Sequence, residues 1–145
     1  MIDPGIVKYC TQDFKNKYEV FDYLADLLYE NGRITDKEEY VAAVRRREDV
    51  IPTEVGHAIA VPHGESECVN ESFVACLKLK EPIRWDKEDV QYVFNIGIPL
   101  KDRNTEQIKI LAKLCSNFMV EQFRESLYQA KDEKEFFDVV ATIED

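Results

Sequence analysis

The chain has 145 residues, of which 33% are charged, and a formal net charge of −10 at pH 7. A chain of this length forms about one domain, so we expect a single core over residues 1–145. The acidic balance argues against nucleic acid or an anionic membrane as the main partner. It suits docking onto a basic protein surface, and it equally suits a role in solubility alone.

Membrane insertion and metal binding are not expected from the sequence. No apolar run approaches the roughly 20 residues that a membrane-spanning helix needs, and no secretory leader opens the chain, which predicts a cytoplasmic protein. The only two histidines are His57 and His63, so no zinc-type site and no cofactor is expected. The four cysteines are expected to be reduced, partly buried thiols: Cys10, Cys68, Cys76 and Cys115.

Two amphipathic helices are predicted in the first third of the chain. Residues 17–31 place apolar side chains three to four positions apart, and Gly32 follows them as a helix terminator. The second helix is predicted to begin at a capping box formed by Thr35 and Glu38. Its expected inner face holds Tyr40, Val41 and Val44. Its end carries three consecutive arginines, and Pro52 stops it.

Strands and three further helices are predicted after Pro52. The expected strands cover residues 57–61, 73–79 and 90–98, and the segment 81–86 around Pro82 is predicted to be a loop or an edge strand. A polar connection at 99–104 leads into a helix with one apolar side, expected to hold Ile108, Leu111, Ala112, Leu114, Cys115 and Phe118. Shorter helices are predicted at 121–130 and at 132–142, the latter capped by Asp132. Helices around interior strands predict a single α/β sandwich.

The most informative segment ends in Pro62-His63-Gly64. Pro62 has a fixed φ and biases Val61 toward an extended conformation, while Gly64 permits close approach of a backbone or ligand. We therefore predict that His63 lies at the end of a strand with its ring facing outward. An imidazole in that position can act as a nucleophile, a general base or a metal ligand.

Residues 48–64 read E-D-V-I-P-T-E-V-G-H-A-I-A-V-P-H-G. The spacing of Glu48, Val55-Gly56 and the segment 59–64 resembles the phosphorylation-site signature of the fructose/mannitol family of enzyme IIA. This family belongs to the bacterial phosphoenolpyruvate-dependent sugar phosphotransferase system. The similarity extends from the N-terminal helix pattern through Pro82-Ile83-Arg84-Trp85 to the final helix.

The resemblance implies a fold and a chemistry. It implies one enzyme IIA domain with a mixed sheet of about five strands and helices on both faces. It also implies that His63 accepts a phosphoryl group from phospho-HPr and passes it to a cysteine of enzyme IIB, without a metal or organic cofactor. The expected docking surface is an exposed apolar rim around His63, because both partners are proteins.

Three residues near His63 are candidates for supporting this chemistry. By resemblance, Arg47 matches the arginine that approaches the phosphorylated histidine; alternatively it is one of three cations that favour a helix C-terminus. Thr53 can donate its hydroxyl to a phosphoryl oxygen, or it is only a turn residue. Glu48 can pair with Arg47 or orient the loop, or it is a solvated acid at the helix end.

Gln107 departs from the family pattern. Many fructose- and mannitol-type members have a second histidine there, and a glutamine can hydrogen-bond His63 or a phosphoryl group but cannot carry a proton. Galactitol-type relatives resemble this chain in having glutamine, which favours galactitol or another polyol as the sugar. Enzyme IIA does not bind the sugar itself, so this indication is indirect.

Two other functions are alternatives to the phosphocarrier. The same domain occurs in sugar-responsive transcription regulators and free regulatory paralogues, where histidine phosphorylation controls protein binding. A metal-dependent or Cys/His hydrolase would use His57, His63 and Cys68, but the sequence offers no third ligand or orienting acid at a recognisable spacing.

Overall fold

The computed structural model describes all 145 residues, Met1–Asp145. Its strands are β1 (Val7–Tyr9), β2 (Glu54–Gly56), β3 (Ile59–Ala60), β4 (His63–Ser66), β5 (Phe73–Arg84) and β6 (Asp89–Pro99). Its α-helices are α1 (Lys17–Glu30), α2 (Lys37–Val50), α3 (Glu106–Phe118), α4 (Glu121–Gln129) and α5 (Glu133–Ala141). None of the helices combines the length and apolar character that crossing a bilayer requires.

All strands belong to one mixed sheet, in the order β1-β5-β6-β3-β2, and β4 also pairs with β6. The central pair, β5 and β6, is antiparallel, whereas β1 runs parallel to β5, and both β3 and β4 run parallel to β6. The predicted mixed sheet is confirmed, with six strands instead of about five. β4 places His63 opposite Ile96 and Gly64 opposite Gly97.

The sheet separates two apolar cores, one on each face. Phe73, Ala75 and Leu77 of β5 pack with α1 and α2, while the alternating Val74 and Cys76 pack on the other face. That second core contains side chains from α3, α4 and α5, including Ile110, Leu114, Phe123, Leu127, Phe136 and Val140. The predicted arrangement of helices on both faces is therefore confirmed.

The helix starts follow local capping signals, with one correction. Asn16 caps α1 and Asp132 caps α5, each accepting a hydrogen bond from a backbone amide three residues later. The capping box predicted at Thr35 is wrong by one residue, because Asp36 accepts from the Glu39 amide at 2.9 Å. The Thr35 hydroxyl instead faces the Cys68 carbonyl at 3.5 Å.

The strand predicted at 57–61 is wrong in its first half. β2 and β3 form a hairpin whose two turn residues, His57 and Ala58, have φ values of 57° and 64°. Positive φ at both central positions is typical of the turns whose twist matches an antiparallel pair. The hairpin therefore ends just before the Pro62-His63 segment and leaves His57 exposed at its tip.

The segment around Pro82 agrees with its prediction as an edge strand. β5 continues through Pro82 to Arg84, and its register against β6 shifts between Lys78 and Ile83. The neighbouring strand β1 pairs with β5 only as far as Lys78. Pro82 therefore lies on a stretch of β5 that has no strand on that side and needs no backbone N–H donor there.

On α3 the buried residues are Ile110, Leu114 and Phe118, whereas Ile108 is 68% exposed. The prediction is confirmed for Leu114 and Phe118 and wrong for Ile108 and Ala112, which are exposed.

Candidate active site around His63

His63 is the first residue of β4 and is only 2% exposed. Both ring nitrogens, Nδ1 and Nε2, are buried and have no hydrogen-bond partner. The prediction of an outward-facing ring is therefore wrong. The physical reason is the pairing of β4 with β6 together with the packing of α2 against β4, which encloses the strand start. A buried imidazole without hydrogen-bond partners is unusual in folded proteins.

This environment keeps the imidazole neutral. Burial lowers the pKa of His63 from its usual 6.5 to about 4, and the nearby Arg47 guanidinium lowers it as well. The Val61 backbone, which approaches the ring without forming a hydrogen bond of normal geometry, and the Glu48 carboxylate raise the pKa of His63. Because the pKa lies well below 7, His63 has an unprotonated ring nitrogen at neutral pH, as a nucleophile requires.

Arg47 lies in the last turn of α2 and is half-buried. Its Nη1 donates to the carbonyl of Ile51 at 3.0 Å. It forms no ion pair with a carboxylate, although the chain carries 29 acidic residues. The site therefore holds a positive charge that is not neutralised and is close enough to affect the titration of His63. Such a charge is suited to bind an anionic group.

Glu48 is buried and accepts hydrogen bonds from three groups of Thr53 and Trp85. The donors are the Thr53 amide at 2.8 Å, the Thr53 hydroxyl at 2.7 Å and the Trp85 indole at 3.0 Å. Lys17 forms an ion pair with the same carboxylate at 3.4 Å. The interpretation of Glu48 as a solvated acid is therefore wrong, and its cationic partner is Lys17 rather than Arg47.

The bonds of Glu48 define the position of Thr53. The Thr53 hydroxyl is committed to Glu48, so in this structure it is not available to a phosphoryl oxygen. The Thr53 carbonyl accepts a hydrogen bond from the Val61 amide at 3.0 Å. Glu48 and Thr53 thus hold the backbone that leads into His63, which agrees with the interpretation of Glu48 as a residue that orients the loop.

Gln107, His57 and Cys68 are not bonded to His63. Gln107 lies half-buried in the first turn of α3, and His57 lies exposed at the hairpin tip, where its carbonyl accepts from the Tyr128 hydroxyl at 2.7 Å. Cys68 is buried beyond the end of β4. No group of three histidine, cysteine, aspartate or glutamate side chains is placed to hold a metal ion.

Four buried residues near the site were not predicted to take part in it: Lys17, Tyr40, Trp85 and Asn95. Lys17 and Trp85 lie 31 and 37 positions from Glu48, so no local pattern links them to it. Asn95 had a signal, because it is a single amide inside the apolar run of β6, and the structure buries it completely.

Comparison with known proteins identifies the family. Residues 1–142 match the family model described as "Phosphoenolpyruvate-dependent sugar phosphotransferase system, EIIA 2". The chain is 34% identical over 115 residues to the PTS system fructose-like EIIA component of Escherichia coli (strain K12), covering 77% of each protein. Other relatives are longer, including multiphosphoryl transfer proteins and a transcriptional regulator, and the chain spans between 14% and 18% of their length.

Solved structures share the fold. The nitrogen regulatory protein IIA-Ntr from Neisseria meningitidis superposes with a TM-score of 0.84 at 22% identity, covering 96% of this chain and 95% of that one. Enzyme IIA of mannitol from Escherichia coli, solved in complex with phosphorylated enzyme IIB, gives a TM-score of 0.80 at 22% identity, covering 98% and 99%. With the match over residues 1–142, the chain belongs to the EIIA type-2 family of the phosphoenolpyruvate-dependent sugar phosphotransferase system.

Proposed function

We propose that the protein is a cytoplasmic phosphocarrier that accepts a phosphoryl group from phospho-HPr on His63 and passes it to a cysteine of enzyme IIB. The observation that carries this proposal is a neutral, partnerless imidazole next to an arginine without a carboxylate partner. In this family the phosphoryl group serves the uptake of a sugar or polyol, and enzyme IIA does not select the sugar.

The first step is an in-line displacement at phosphorus. An unprotonated ring nitrogen of His63 forms the new N–P bond, while the N–P bond to the HPr imidazole breaks and that imidazole leaves with the electron pair. The second step repeats this with a thiolate of enzyme IIB, which forms an S–P bond and releases the His63 imidazole. Neither step changes an oxidation state. The protein contributes alignment and charge stabilisation.

Arg47 is the residue proposed to stabilise the transferring group. The phosphoryl oxygens carry negative charge through both steps, and a guanidinium can bind two of them with parallel hydrogen bonds. The single bond of Arg47 to the Ile51 carbonyl leaves most of its donors free for this role. Gln107 makes no bond to His63 in the free protein, so we propose at most a hydrogen-bonding role for it after phosphorylation.

The burial of both ring nitrogens has a consequence for docking. A phosphoryl donor must approach the attacking nitrogen to roughly 3–3.5 Å, and neither nitrogen is accessible in the free protein. Binding of HPr or enzyme IIB must therefore displace the side chains that cover the ring, a rearrangement of the kind that precedes chemistry in many enzymes.

Intact-mass analysis tests the proposal. The protein is incubated with phosphoenolpyruvate, enzyme I and HPr, and a single acid-labile phosphoryl adduct is expected. The variant His63→Ala should take up none, while His57→Ala, which removes the only other histidine, should react like the unmodified chain. Absence of the adduct while HPr itself is phosphorylated would refute the carrier function.

A second stage separates transport from regulation. The phosphorylated protein is mixed with enzyme IIB proteins of the fructose, mannitol and galactitol types, and rapid loss of the adduct to one of them supports the carrier. A stable adduct with every enzyme IIB would favour the regulatory alternative. That alternative has its own support, since a relative that is 35% identical over 98 residues is the transcriptional regulator ManR of Bacillus subtilis (strain 168).

A further inference from the structure

We propose that Tyr40 and Asn95 are positioning residues, which fix the Pro62-His63 peptide and thereby hold the imidazole of His63 for phosphoryl transfer. The inference rests on the function proposed for His63, which it deepens. It is carried by a chain of buried hydrogen bonds that connects α2 and β6 to the residue immediately before His63.

Asn95 is the centre of this chain. It is fully buried in β6, where an unpaired amide would be costly. Its Oδ1 accepts from the Tyr40 hydroxyl at 2.6 Å, and its Nδ2 donates to the Pro62 carbonyl at 3.0 Å. Because the Pro62 carbonyl can only accept, the amide nitrogen of Asn95 must face it, and the Tyr40 hydroxyl then holds the amide in this orientation by donating to Oδ1.

The Pro62 carbonyl receives a second hydrogen bond, from the Ile96 amide at 2.9 Å. Proline has φ fixed near −65° by its ring, and the two hydrogen bonds fix the direction of its carbonyl. The direction of that carbonyl determines ψ of Pro62, so both backbone dihedrals before His63 are held. The imidazole therefore extends from a peptide that has little freedom to rotate.

Tyr40 also contacts the residue that follows His63. A Cβ on Gly64 would lie 2.5 Å from Tyr40 Cε1, so the ring lies directly over the glycine backbone. Phe73 covers Gly97 in the same way, and Gly97 is the residue that pairs with Gly64 in the sheet. The two rings lie 6.0 Å apart, centroid to centroid. Tyr40 thus holds both neighbours of His63 and is itself held by Phe73.

Two substitutions remove the hydrogen bonds and preserve the packing. Tyr40→Phe keeps the ring over Gly64 and deletes the hydroxyl, while Asn95→Leu keeps a similar volume and deletes the amide. We expect phosphorylation of His63 by phospho-HPr, followed by intact mass, to slow at least tenfold in each variant. We also expect NMR titration to show the pKa of His63 rising from about 4 toward 6.5, because a less constrained ring gains access to water.

The double variant and a matched control make the test specific. If Tyr40 acts through Asn95, the double variant should react about as slowly as Asn95→Leu alone. Val140→Ala truncates a fully buried side chain of α5, which packs against β1, and should destabilise the fold without changing the rate or the His63 pKa.

Folded variants with rates within twofold of the unmodified chain, and with the His63 pKa still about 4, would overturn the inference. So would independent, multiplying effects in the double variant. A failure of the proposed function is a different result, namely no adduct on the unmodified chain. In that case the NMR titration of the same variants still decides whether Tyr40 and Asn95 hold the imidazole.

Discussion

The carboxylate of Glu48 accepts hydrogen bonds from both the amide and the hydroxyl of Thr53, at 2.8 and 2.7 Å. Thr53 in turn accepts at its carbonyl from the Val61 amide, two residues before His63. Hydrogen bonds through Thr53 therefore connect a buried carboxylate near the end of α2 to the backbone two residues before the site histidine. The same charge is paired with Lys17 at the start of α1.

Removal of this carboxylate should be strongly destabilising. Glu48→Ala leaves the Lys17 ammonium, which is also buried, without its partner, and leaves three further donors unsatisfied. Breaking a buried pair in this way costs about 3–5 kcal/mol of unfolding free energy. Urea denaturation followed by circular dichroism measures this difference directly.

The exposed pair formed by Lys134 and Asp138, at 3.0 Å, provides the matched comparison. Asp138→Ala should change the unfolding free energy by no more than about 1 kcal/mol, since exposed ion pairs contribute little. An equally small change for Glu48→Ala would contradict the role assigned to this carboxylate.

The depressed pKa of His63 predicts a specific pH dependence of stability. Between pH 6.5 and about 4 the unfolded chain binds a proton at His63 and the folded chain does not, so stability falls as pH decreases through this range. Above pH 6.5 His63 is neutral in both states and does not reduce the free energy of unfolding. Below pH 4, where it is protonated in both states, the cost of the buried charge lowers the free energy of unfolding by about 3 kcal/mol. His63→Gln should remove this part of the slope when urea unfolding is compared at several pH values from 7 to 4.5.

Arg47 should affect both the reaction and the titration of His63. Arg47→Ala is expected to slow phosphorylation by about 10²–10³, the usual effect of removing one group that stabilises the transition-state charge. It should also raise the His63 pKa, because the guanidinium disfavours the imidazolium. Arg46→Ala is the control, since Arg46 is an exposed neighbour on the same helix. If both variants behaved like the unmodified chain, Arg47 would have only a structural role.

Gly64→Ala should displace Tyr40 and with it the imidazole. The new Cβ would lie 2.5 Å from the Tyr40 ring, and such overpacking costs about 1–3 kcal/mol or more. Phosphorylation should slow because the peptide around His63 moves. Gly32→Ala strains the backbone at a φ of +70° in open space, for about 1–2 kcal/mol, and should leave the rate unchanged. The phosphorylation rates of the two variants are compared under conditions that give them the same free energy of unfolding. This comparison separates displacement of the imidazole from loss of stability.

The sequence predicted the parts of this fold that depend on neighbouring residues. The 3.6-residue periodicity of α1 and the Asp132 cap of α5 are local signals, and both helices lie where they were expected. β4 was missed because its four residues become a strand only by pairing with β6, more than 30 positions away. The burial of His63 follows from that pairing, so no local pattern indicated it.

The site was predictable to a similar degree. Residues Glu48, Thr53 and His63 were singled out from one continuous segment, and hydrogen bonds connect Glu48 to Thr53 and Thr53 to Val61, two residues before His63. The residues that complete the network come from distant elements, such as Trp85 after β5 and Asn95 in β6. Their roles depend on tertiary packing, which a single sequence does not specify.

The most direct test of the account is the imidazole NMR spectrum of the chain labelled with 15N, recorded before and after phosphorylation by phospho-HPr. The chain has only two histidines, so the spectrum contains two rings. The account predicts that one ring nitrogen of His63 shifts to a phosphorylated position, while His57 keeps its signals. Phosphorylation of the protein with no change at His63, or with the change at His57, would contradict it.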